Sequence, residues 1–213
     1  MRAPAGHLRL CVDLNIWYAW YLAEANGRNN TTFQKIIEAV QDGRSAAGPI
    51  QLIISHIMLS RLMDVLIRKG ASVESAHRFS RLISNFAALG PCLEYPHVVL
   101  GGGFEPTREA IFQSYDPYDP NHTPTRIDNE DGRVLDTAIG GQAHALVTNN
   151  FKDFQYHQDS IIEPGSIRIR RTGGGFLYVL KPVPMLEWLL TGMAPTAADL
   201  SSEAVVHSPT EMT

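Results

Sequence analysis

The stretch Leu8–Asp13 reads LRLCVD, and the segment Asn15–Ala25 that follows reads NIWYAWYLAEA. The first is a short apolar run that ends in an acidic residue, which is typical of a buried strand, and the second favours a helix rich in aromatic side chains. A buried strand followed at once by a helix is the unit from which parallel sheets are built. The start of the chain therefore predicts an α/β fold.

The same alternation of strands and helices continues along the chain. Further strands are predicted at residues 50–54, 143–148 and 167–171, with another within residues 93–100. Further helices are predicted at residues 33–41, 57–69, 72–89, 130–142 and 183–190. Thr31 or Thr32 can cap the first of these helices and Ser55 the second. We therefore predict a three-layer α/β/α sandwich around a central, mainly parallel sheet.

One domain with one insertion accounts for most of the chain. Residues 1–192 are predicted to form a single domain, and residues 101–127, which lack a periodic apolar face and contain several Asp-Pro and Thr-Pro turns, are predicted to be an insertion that shapes access to the site. Residues 193–213 contain three acidic residues and no Lys or Arg, which predicts a flexible acidic tail.

Composition excludes several classes of protein. The 213 residues include 44% hydrophobic and 19% charged residues, which is typical of a globular domain. Two cysteines, Cys11 and Cys92, are too few for a disulfide scaffold or a cysteine-based zinc site. The formal net charge of −4 excludes a strongly basic nucleic-acid coat, and no apolar stretch reaches membrane-spanning length. We expect a cytoplasmic protein without a membrane partner.

Acidic and amide side chains lie where predicted strands end or where predicted helices begin. They are Asp13, Asp128, Asp131, Asn149, Asn150 and Asp153. Because ligands of parallel α/β sheets bind at the carboxyl ends of the strands, we expect the carboxylates of Asp13, Asp131 and Asp153 to converge there. Oxygen ligands of this kind suit Mg²⁺ or Mn²⁺. For Asp128, a role as helix cap is an equal alternative.

Other chemistries find no support in the motifs. Two triple-glycine stretches, at residues 101–103 and 173–175, match neither a phosphate-binding loop nor a dinucleotide fingerprint. The eight histidines lack the H-x-x-x-H spacing of a helical zinc site, and no G-x-S-x-G elbow is present.

Three motifs in order resemble those of the PIN-domain nucleases. Residues 12–15 (VDLN) resemble that family's strand-ending V-D-T-N, and residues 128–138 (DNEDGRVLDTA) resemble its D-x-x-D-x-x-V-L-x-x-A helix. Residues 147–154 (VTNNFKDF) are similar to a bacterial variant, V-T-x-N-x-x-D-F, of its last acidic motif. The resemblance covers roughly residues 8–180.

The PIN-domain nucleases are metal-dependent ribonucleases, and they include the toxins of bacterial toxin–antitoxin pairs. The resemblance therefore implies a metal-dependent ribonuclease and suggests a toxin role. Asp13 and Asp131 would then be central ligands of Mg²⁺ or Mn²⁺, and Asn150 and Asp153 would share the last acidic position. Further site residues under this interpretation are Asn15, Arg61, Asp64, Asp128 and Thr148. RNA would be the substrate, and an antitoxin protein would be a partner.

Arg61 departs from the family's pattern. It stands in SHIMLSRLMDVL (residues 55–66) where the family usually has Glu, and an arginine cannot bind a cation. Asp64, one turn later, can substitute only if the helix is shifted, and it also has the spacing of a surface pair with Arg68. Arg61 can instead pair with Asp13 or Asp131 and occupy the place of the metal. This residue motivates the alternative of a degenerate, non-catalytic protein that binds RNA or a protein partner.

Two further expectations concern partners. Arg168, Arg170 and Arg171, together with Lys181, can contact an RNA backbone, although a solvated strand edge explains the arginines equally well. Trp20 lies in the aromatic helix near Trp17 and belongs either to the core or to the contact of a homodimer.

Overall fold

The computed structural model describes residues 6–90, 98–99, 129–156, 158–172 and 175–196, with residues 98–99 and 129–130 described by their backbone. Within these residues the strands are β1 Leu8–Val12, β2 Arg44–Ser45, β3 Gly48–Ser55, β4 Val98–Val99, β5 Ala145–Val147, β6 Ser160–Glu163, β7 Ile167–Thr172 and β8 Gly175–Leu180. The helices are α1 Leu14–Ala25, α2 Thr32–Asp42, α3 His56–Arg68, α4 Val73–Ala88, α5 Asn129–Gly140 and α6 Pro182–Thr191, and a 3-10 helix spans Phe151–Phe154.

The strands form one sheet in the order β2-β3-β1-β5-β8-β7-β6, with β4 also paired to β3. The β1 strand lies between β3 and β5, and both pairings are parallel, as are those of β5 with β8 and β3 with β4. The β6 and β7 strands extend the sheet by antiparallel pairing, and β2 pairs antiparallel to β3. Helices flank this mixed sheet, so the predicted three-layer α/β/α sandwich with a mainly parallel centre is confirmed.

Local sequence explains where the first helices begin. Thr31 caps α2 through a capping box, in which its hydroxyl accepts from Gln34 N–H and the Gln34 side chain accepts from Thr31 N–H. The hydroxyl of Ser55 caps α3 by accepting from Met58 N–H, and Ser72 caps α4 in the same way. The Ser55 cap places the start of α3 directly at the carboxyl end of β3.

The β1 strand is the centre of the core. All five of its residues are buried, because β3 and β5 flank it and helices cover it. The guanidinium of Arg9 donates to the carbonyl of Gly141, and the thiol of Cys11 lies 4.0 Å from the carbonyl oxygen of Val134. The helix α5 therefore runs antiparallel to β1, from the carboxyl end of the strand towards its amino end.

Several expectations change at this level. The β6 and β8 strands were not predicted, and neither was the hairpin that β8 forms with β7. Trp20 is only 7% exposed and packs against Phe79 and Phe86 of α4, which favours its assignment to the core, and the homodimer stays a prediction. The expected insertion at residues 101–127 and most of the expected tail lie outside the described residues, and the single-domain boundary at residue 192 stays a prediction.

Among the residues described, none of the helices combines the length and apolar character that crossing a membrane requires.

Candidate active site

Asp13 is a buried carboxylate at the junction of β1 and α1. It is only 3% exposed, and its Oδ1 accepts a 2.6 Å hydrogen bond from Leu14 N–H, which makes it the N-cap of α1. Its Oδ2 accepts 2.6 Å hydrogen bonds from the Asn15 amide and the Thr148 hydroxyl. Donors to both oxygens favour the ionised form of a buried carboxyl group. The fold therefore holds a fixed negative charge at the carboxyl end of the central strand.

Thr148 and Asn15 join the ends of β1 and β5 around this charge. The Thr148 hydroxyl donates to Asp13 and accepts from the backbone N–H of Asn150. The Asn15 amide group also approaches the Thr148 hydroxyl at 3.3 Å, and its carbonyl oxygen accepts from Asn149 N–H. These contacts fix the segment that follows β5 relative to the start of α1.

Asn150 and Asp153 form a second polar unit beside the first. The Asn150 side-chain amide donates to Oδ2 of Asp153, and Asp153 N–H donates to the Asn150 carbonyl, since the chain turns here into the 3-10 helix. Asn150 is exposed and Asp153 is half-buried. The structure thus brings together the two residues that the resemblance assigns to the last acidic position.

Asp131 lies in the first turn of α5 and is half-buried. Its helix runs antiparallel to β1, and Val134 of that helix lies against Cys11. The first turn of α5, with Asp131, therefore lies towards the carboxyl end of β1, where Asp13 is found. The separation of the two carboxylates stays a prediction.

A buried hydroxyl pair connects α5 to the end of β3. Ser55 and Thr137 are both buried, and their hydroxyl oxygens are 2.9 Å apart. The Thr137 hydroxyl also lies 2.8 Å from the carbonyl of Arg133, and that of Ser55 accepts from Met58 N–H. Both oxygens are satisfied when Thr137 donates to Arg133 and Ser55 donates to Thr137. This pair ties the last turn of α5 to the carboxyl end of β3.

Arg61 and Asp64 lie on α3, which packs against both α1 and α5. Arg61 is half-buried and Asp64 is exposed. Arg68 Nε donates at 3.3 Å to the backbone carbonyl of Asp64, so these two residues interact as helix neighbours. The predicted pairing of Arg61 with Asp13, Asp131 or Asp64 stays a prediction, and Asp128 lies outside the described residues.

The donor set suits a hard cation. The polar side chains of the described part of this edge offer carboxylate, amide and hydroxyl oxygens, which Mg²⁺ and Mn²⁺ prefer. The one nearby thiol, Cys11, is no competing ligand, because burial, and next the charge of Asp13, raise its pKa far above the usual range. Within the described ranges, no three His, Cys, Asp or Glu side chains are close enough together to hold a metal ion. Convergence of the Asp13, Asp131 and Asp153 carboxylates on one cation therefore stays a prediction.

The arginines of β7 occupy different surroundings. Arg170 is 9% exposed, and its guanidinium donates to both carboxylate oxygens of Asp159, at 2.9 and 3.0 Å, and to the Phe154 carbonyl. This ion pair keeps Arg170 inside the fold, so its position gives no support to the expected RNA contact. Arg171 is exposed and pairs with Phe176 near the β7–β8 turn.

Strand register separates Arg171 from the site. Ile167 pairs with Leu180, which also pairs with Val147 at the carboxyl end of β5. Arg171 is four residues further along β7, about 13 Å from that edge. Arg168 is one residue from Ile167 and therefore lies close to the edge, and Lys181 follows β8 directly at the same edge and is exposed.

A separate groove of about 680 Å³ lies between α1 and α4. Trp20, Tyr21, Phe79 and Leu82 give it an apolar floor. Trp20 is seven residues along α1 from Asp13, a distance of about 10 Å. The groove is thus distinct from the polar residues at the strand ends.

Two site features escaped prediction from sequence. The Ser55–Thr137 pair has no signal beyond the helix-capping pattern at Ser55, because its two residues are 82 positions apart. The position of the Arg168 guanidinium over the Phe151 ring, 5.2 Å from its centroid, depends on a hairpin that was not predicted.

Comparison with known proteins gives one match. A family model described as a PIN domain matches residues 9–152, which is more than half of the chain and contains β1, α5 and β5. Searches of curated proteins and of solved structures gave no match.

Proposed function

The chain belongs to the PIN-domain family, and on that premise we propose that it is a metal-dependent endoribonuclease, a hydrolase of RNA phosphodiester bonds. PIN domains are generally metal-dependent nucleases, so nuclease chemistry follows from membership. The choice of RNA and of Mg²⁺ or Mn²⁺ is the proposal, and it draws on the motifs at residues 12–15, 128–138 and 147–154.

The observation that carries the proposal is the Asp13 carboxylate, buried and held by donors from α1 and from the end of β5. Such a fixed charge at the end of a central strand suits a cation better than a flexible surface acid does. Asp131, in the first turn of α5, and Asp153, on the 3-10 helix, would complete the ligand set, with Asn150 oriented by its contact with Asp153. The bound cation would supply positive charge that stabilises the transferring phosphoryl group.

The chain's own residues then have separate tasks. Asn15 and Thr148 orient Asp13 by donating to its Oδ2, and they use the same contacts to hold the segment that carries Asn150 and Asp153. The Ser55–Thr137 pair ties the last turn of α5 to the end of β3. Each of these supporting groups is attached to a strand or helix end, which limits the movement of the carboxylates.

The experiment measures cleavage of a labelled single-stranded RNA and of a DNA of the same sequence, with Mn²⁺, with Mg²⁺ and with chelator. We expect metal-dependent cleavage of RNA by the wild type and its loss in Asp131→Asn and Asp13→Asn. Asp42→Asn, which changes an exposed acid at the end of α2, is the matched control. Absence of metal-dependent cleavage on varied RNA substrates would refute the proposal, and preference for the DNA would correct its substrate.

Arg61 favours a second candidate, a non-catalytic PIN-domain protein that binds RNA or a protein partner. Its cationic side chain lies half-buried on the helix that packs against both α1 and α5. This candidate predicts that the wild type binds RNA but neither binds Mn²⁺ nor cleaves. A manganese titration followed by calorimetry separates the two candidates without depending on the choice of RNA.

A finer proposal is that the protein acts as the toxin of a toxin–antitoxin pair, with an antitoxin protein as its partner. Its support is the similarity of residues 147–154 to the bacterial V-T-x-N-x-x-D-F variant. Induced expression of the wild type in a bacterial host should then arrest growth, whereas expression of Asp131→Asn should not. Normal growth with confirmed accumulation of active wild type would contradict a toxin role.

A further inference from the structure

Arg168 is a half-buried arginine whose hydrogen-bond donors are not used by the described protein. Its guanidinium lies over the ring of Phe151, 5.2 Å from the ring centroid. Its Nε is buried and has no acceptor, and the side chain makes no hydrogen bond or ion pair within the described residues. A guanidinium has five N–H donors in a rigid fork. In Arg168 the buried donor is that of Nε, so an acceptor from outside the chain would meet the donors of the two terminal nitrogens.

Arg170 shows what the same strand does with an arginine that serves the fold. It lies two residues further along β7, on the same face, and donates to Asp159 and to the Phe154 carbonyl. Its guanidinium lies 5.3 Å from the centroid of the Tyr156 ring. Both arginines thus lie against an aromatic ring, but Arg170 has a carboxylate partner, whereas Arg168 has none among the residues that the structure describes. The surroundings of Arg168 therefore suit an acceptor supplied from outside the chain.

The position of Arg168 relates that acceptor to the candidate active site. Phe151, over which Arg168 lies, directly follows Asn150 and begins the 3-10 helix that carries Asp153. Arg168 pairs with Val179 of β8, which pairs with Leu146 of β5, so it lies two strands from β5 at about 10 Å. The 3-10 helix contacts both β8 and α5, so Arg168 lies on the side of the site that carries Asp153.

A further donor lies at the start of β7. Lys181 is exposed, and its backbone N–H donates to the Ser166 carbonyl at 2.9 Å, which places the lysine beside the beginning of the strand. Around Arg168 the carboxyl ends of the strands thus offer a guanidinium and an ammonium, which suit a phosphate group.

We propose that Arg168, with Lys181 beside it, binds a backbone phosphate of a single-stranded nucleic acid next to the linkage that is cut. This inference rests on the proposed function, because the nucleic-acid strand must cross the carboxyl ends of the β-strands, where Asp13 and Asp153 lie. A planar guanidinium that is already oriented by an aromatic ring binds phosphate through two hydrogen bonds with little loss of side-chain freedom. The site recognises a phosphodiester, so it accepts RNA and DNA, and preference between the two arises elsewhere.

The experiment measures binding separately from cleavage. Fluorescence anisotropy with labelled single-stranded RNA and DNA oligonucleotides, in chelator and over a range of salt concentrations, reports affinity and its salt dependence. We expect Arg168→Gln to weaken binding about tenfold and to reduce the slope of log affinity against log salt by about 0.7, the value for one phosphate contact on a single strand. Arg168→Lys, which keeps the charge but loses the planar fork, should retain the slope and lose part of the affinity.

Arg81→Gln removes one positive charge from the exposed face of α4 and is the matched control, for which we expect wild-type affinity and slope. Thermal melts of each variant show that loss of binding is not loss of folding. Wild-type binding by Arg168→Gln, an equal loss in Arg171→Gln, or no binding of either oligonucleotide by the wild type would each overturn the inference. Binding that depends on Arg168 but is never followed by metal-dependent cleavage would support the phosphate contact at Arg168 and refute the proposed nuclease, together with the position of that phosphate beside a cut linkage.

Discussion

The hydroxyl of Thr148 donates a 2.6 Å hydrogen bond to Oδ2 of Asp13, across 135 residues of sequence and between two neighbouring parallel strands. Both side chains are buried, so neither has water as an alternative partner. Because the register of β1 against β5 places Thr148 beside Asp13, this hydrogen bond fixes the orientation of the Asp13 carboxylate. A change at Thr148 should therefore affect the site without removing any of its acidic groups.

We expect Thr148→Val, which replaces the hydroxyl by a methyl group of similar size, to lower the free energy of unfolding by about 1–2 kcal/mol, because Asp13 loses a buried donor and Asn150 N–H loses its acceptor. Urea denaturation measures the change. Thr148→Ser keeps the hydroxyl and should recover most of the stability. Metal-dependent cleavage should fall in the valine variant and persist in the serine variant, and equal activity in both would contradict an orienting role for Thr148.

Asp13→Asn and Asp131→Asn should differ in stability although both should lose cleavage. An amide at residue 13 places an N–H₂ group against donors, since Leu14 N–H, the Asn15 amide and the Thr148 hydroxyl all point at the carboxylate. We expect a loss of about 1–3 kcal/mol for this variant.

Asp131 is half-buried in the first turn of α5, and we expect its change to Asn to alter stability by less than about 1 kcal/mol. Thermal and urea unfolding of both variants, together with cleavage of labelled RNA, test the contrast. If Asp13→Asn unfolds at the same denaturant concentration as the wild type, the donors around residue 13 do not contribute as the structure indicates.

The central strands could be predicted because their apolar sequences indicate that both faces of each strand are buried. The apolar runs of β1, β3 and β5 are buried by neighbours on all sides, and such runs need no information from elsewhere in the chain. The β6 strand lacks such a run, because it lies at the edge of the sheet with Ser160, Ile161 and Glu163 exposed. The β8 strand does carry an apolar run, FLYVL at residues 176–180, but the glycine-rich stretch directly before it is typical of a turn and obscured the strand.

In the candidate site too, the positions of single residues could be predicted from local sequence, whereas contacts between distant residues could not. Asp13, Asp131 and Asp153 could be selected from sequence because each follows a predicted strand or opens a helix. The contact between Thr148 and Asp13 depends on the register of β1 against β5, which no local pattern encodes. The three arginines of β7 look alike in sequence, but their positions in the strand give them different surroundings. Arg168 makes no hydrogen bond or ion pair within the described residues, Arg170 forms a buried ion pair, and Arg171 is exposed at the far end of the strand.

Arg61→Glu tests the residue at which the chain departs from its family's pattern. The change removes a cation and adds a carboxylate on the helix that packs against α1 and α5. We expect the affinity for Mn²⁺ to increase by about tenfold, because one repelling charge is lost and one oxygen ligand is gained. Isothermal calorimetry measures the affinity, and Arg68→Glu, an exposed position at the end of the same helix, is the control. Unchanged or weaker binding in a folded variant would show that Arg61 does not face the cation.

The ion pair between Arg170 and Asp159 should be a determinant of stability. Both side chains are buried and share two hydrogen bonds, so Arg170→Met leaves a carboxylate without its partner. We expect this variant to lose about 3 kcal/mol of unfolding free energy, and a double variant that also carries Asp159→Leu to recover part of that loss. Chemical denaturation of the wild type, of Arg170→Met, of Asp159→Leu and of the double variant gives the coupling energy between the two residues. Arg171→Gln, on the exposed side of the same strand, should change stability by less than about 0.5 kcal/mol.

His144 should make stability depend on pH below neutrality. It precedes β5, and its Nδ1 accepts a hydrogen bond from Arg9 N–H at 3.1 Å. Burial of the imidazole, and next the positive charge of Arg9, lower the pKa of His144 below its ordinary value of 6.5. Protonation removes the acceptor, so the folded protein binds this proton less readily than the unfolded chain does. The contribution to stability is complete above pH 6.5 and is lost as the pH falls from there through the folded-state pKa.

Melting temperatures between pH 7.5 and pH 5.5 test this dependence. The wild type should lose stability over this interval by more than His144→Gln, because glutamine does not titrate there and its amide oxygen can still accept from Arg9 N–H. His77→Gln, which changes an exposed histidine on α4, is the control and should retain the wild-type dependence. If His144→Gln follows the same pH curve as the wild type, another group is responsible for the acid sensitivity, and the imidazole is not held neutral by its contact with β1.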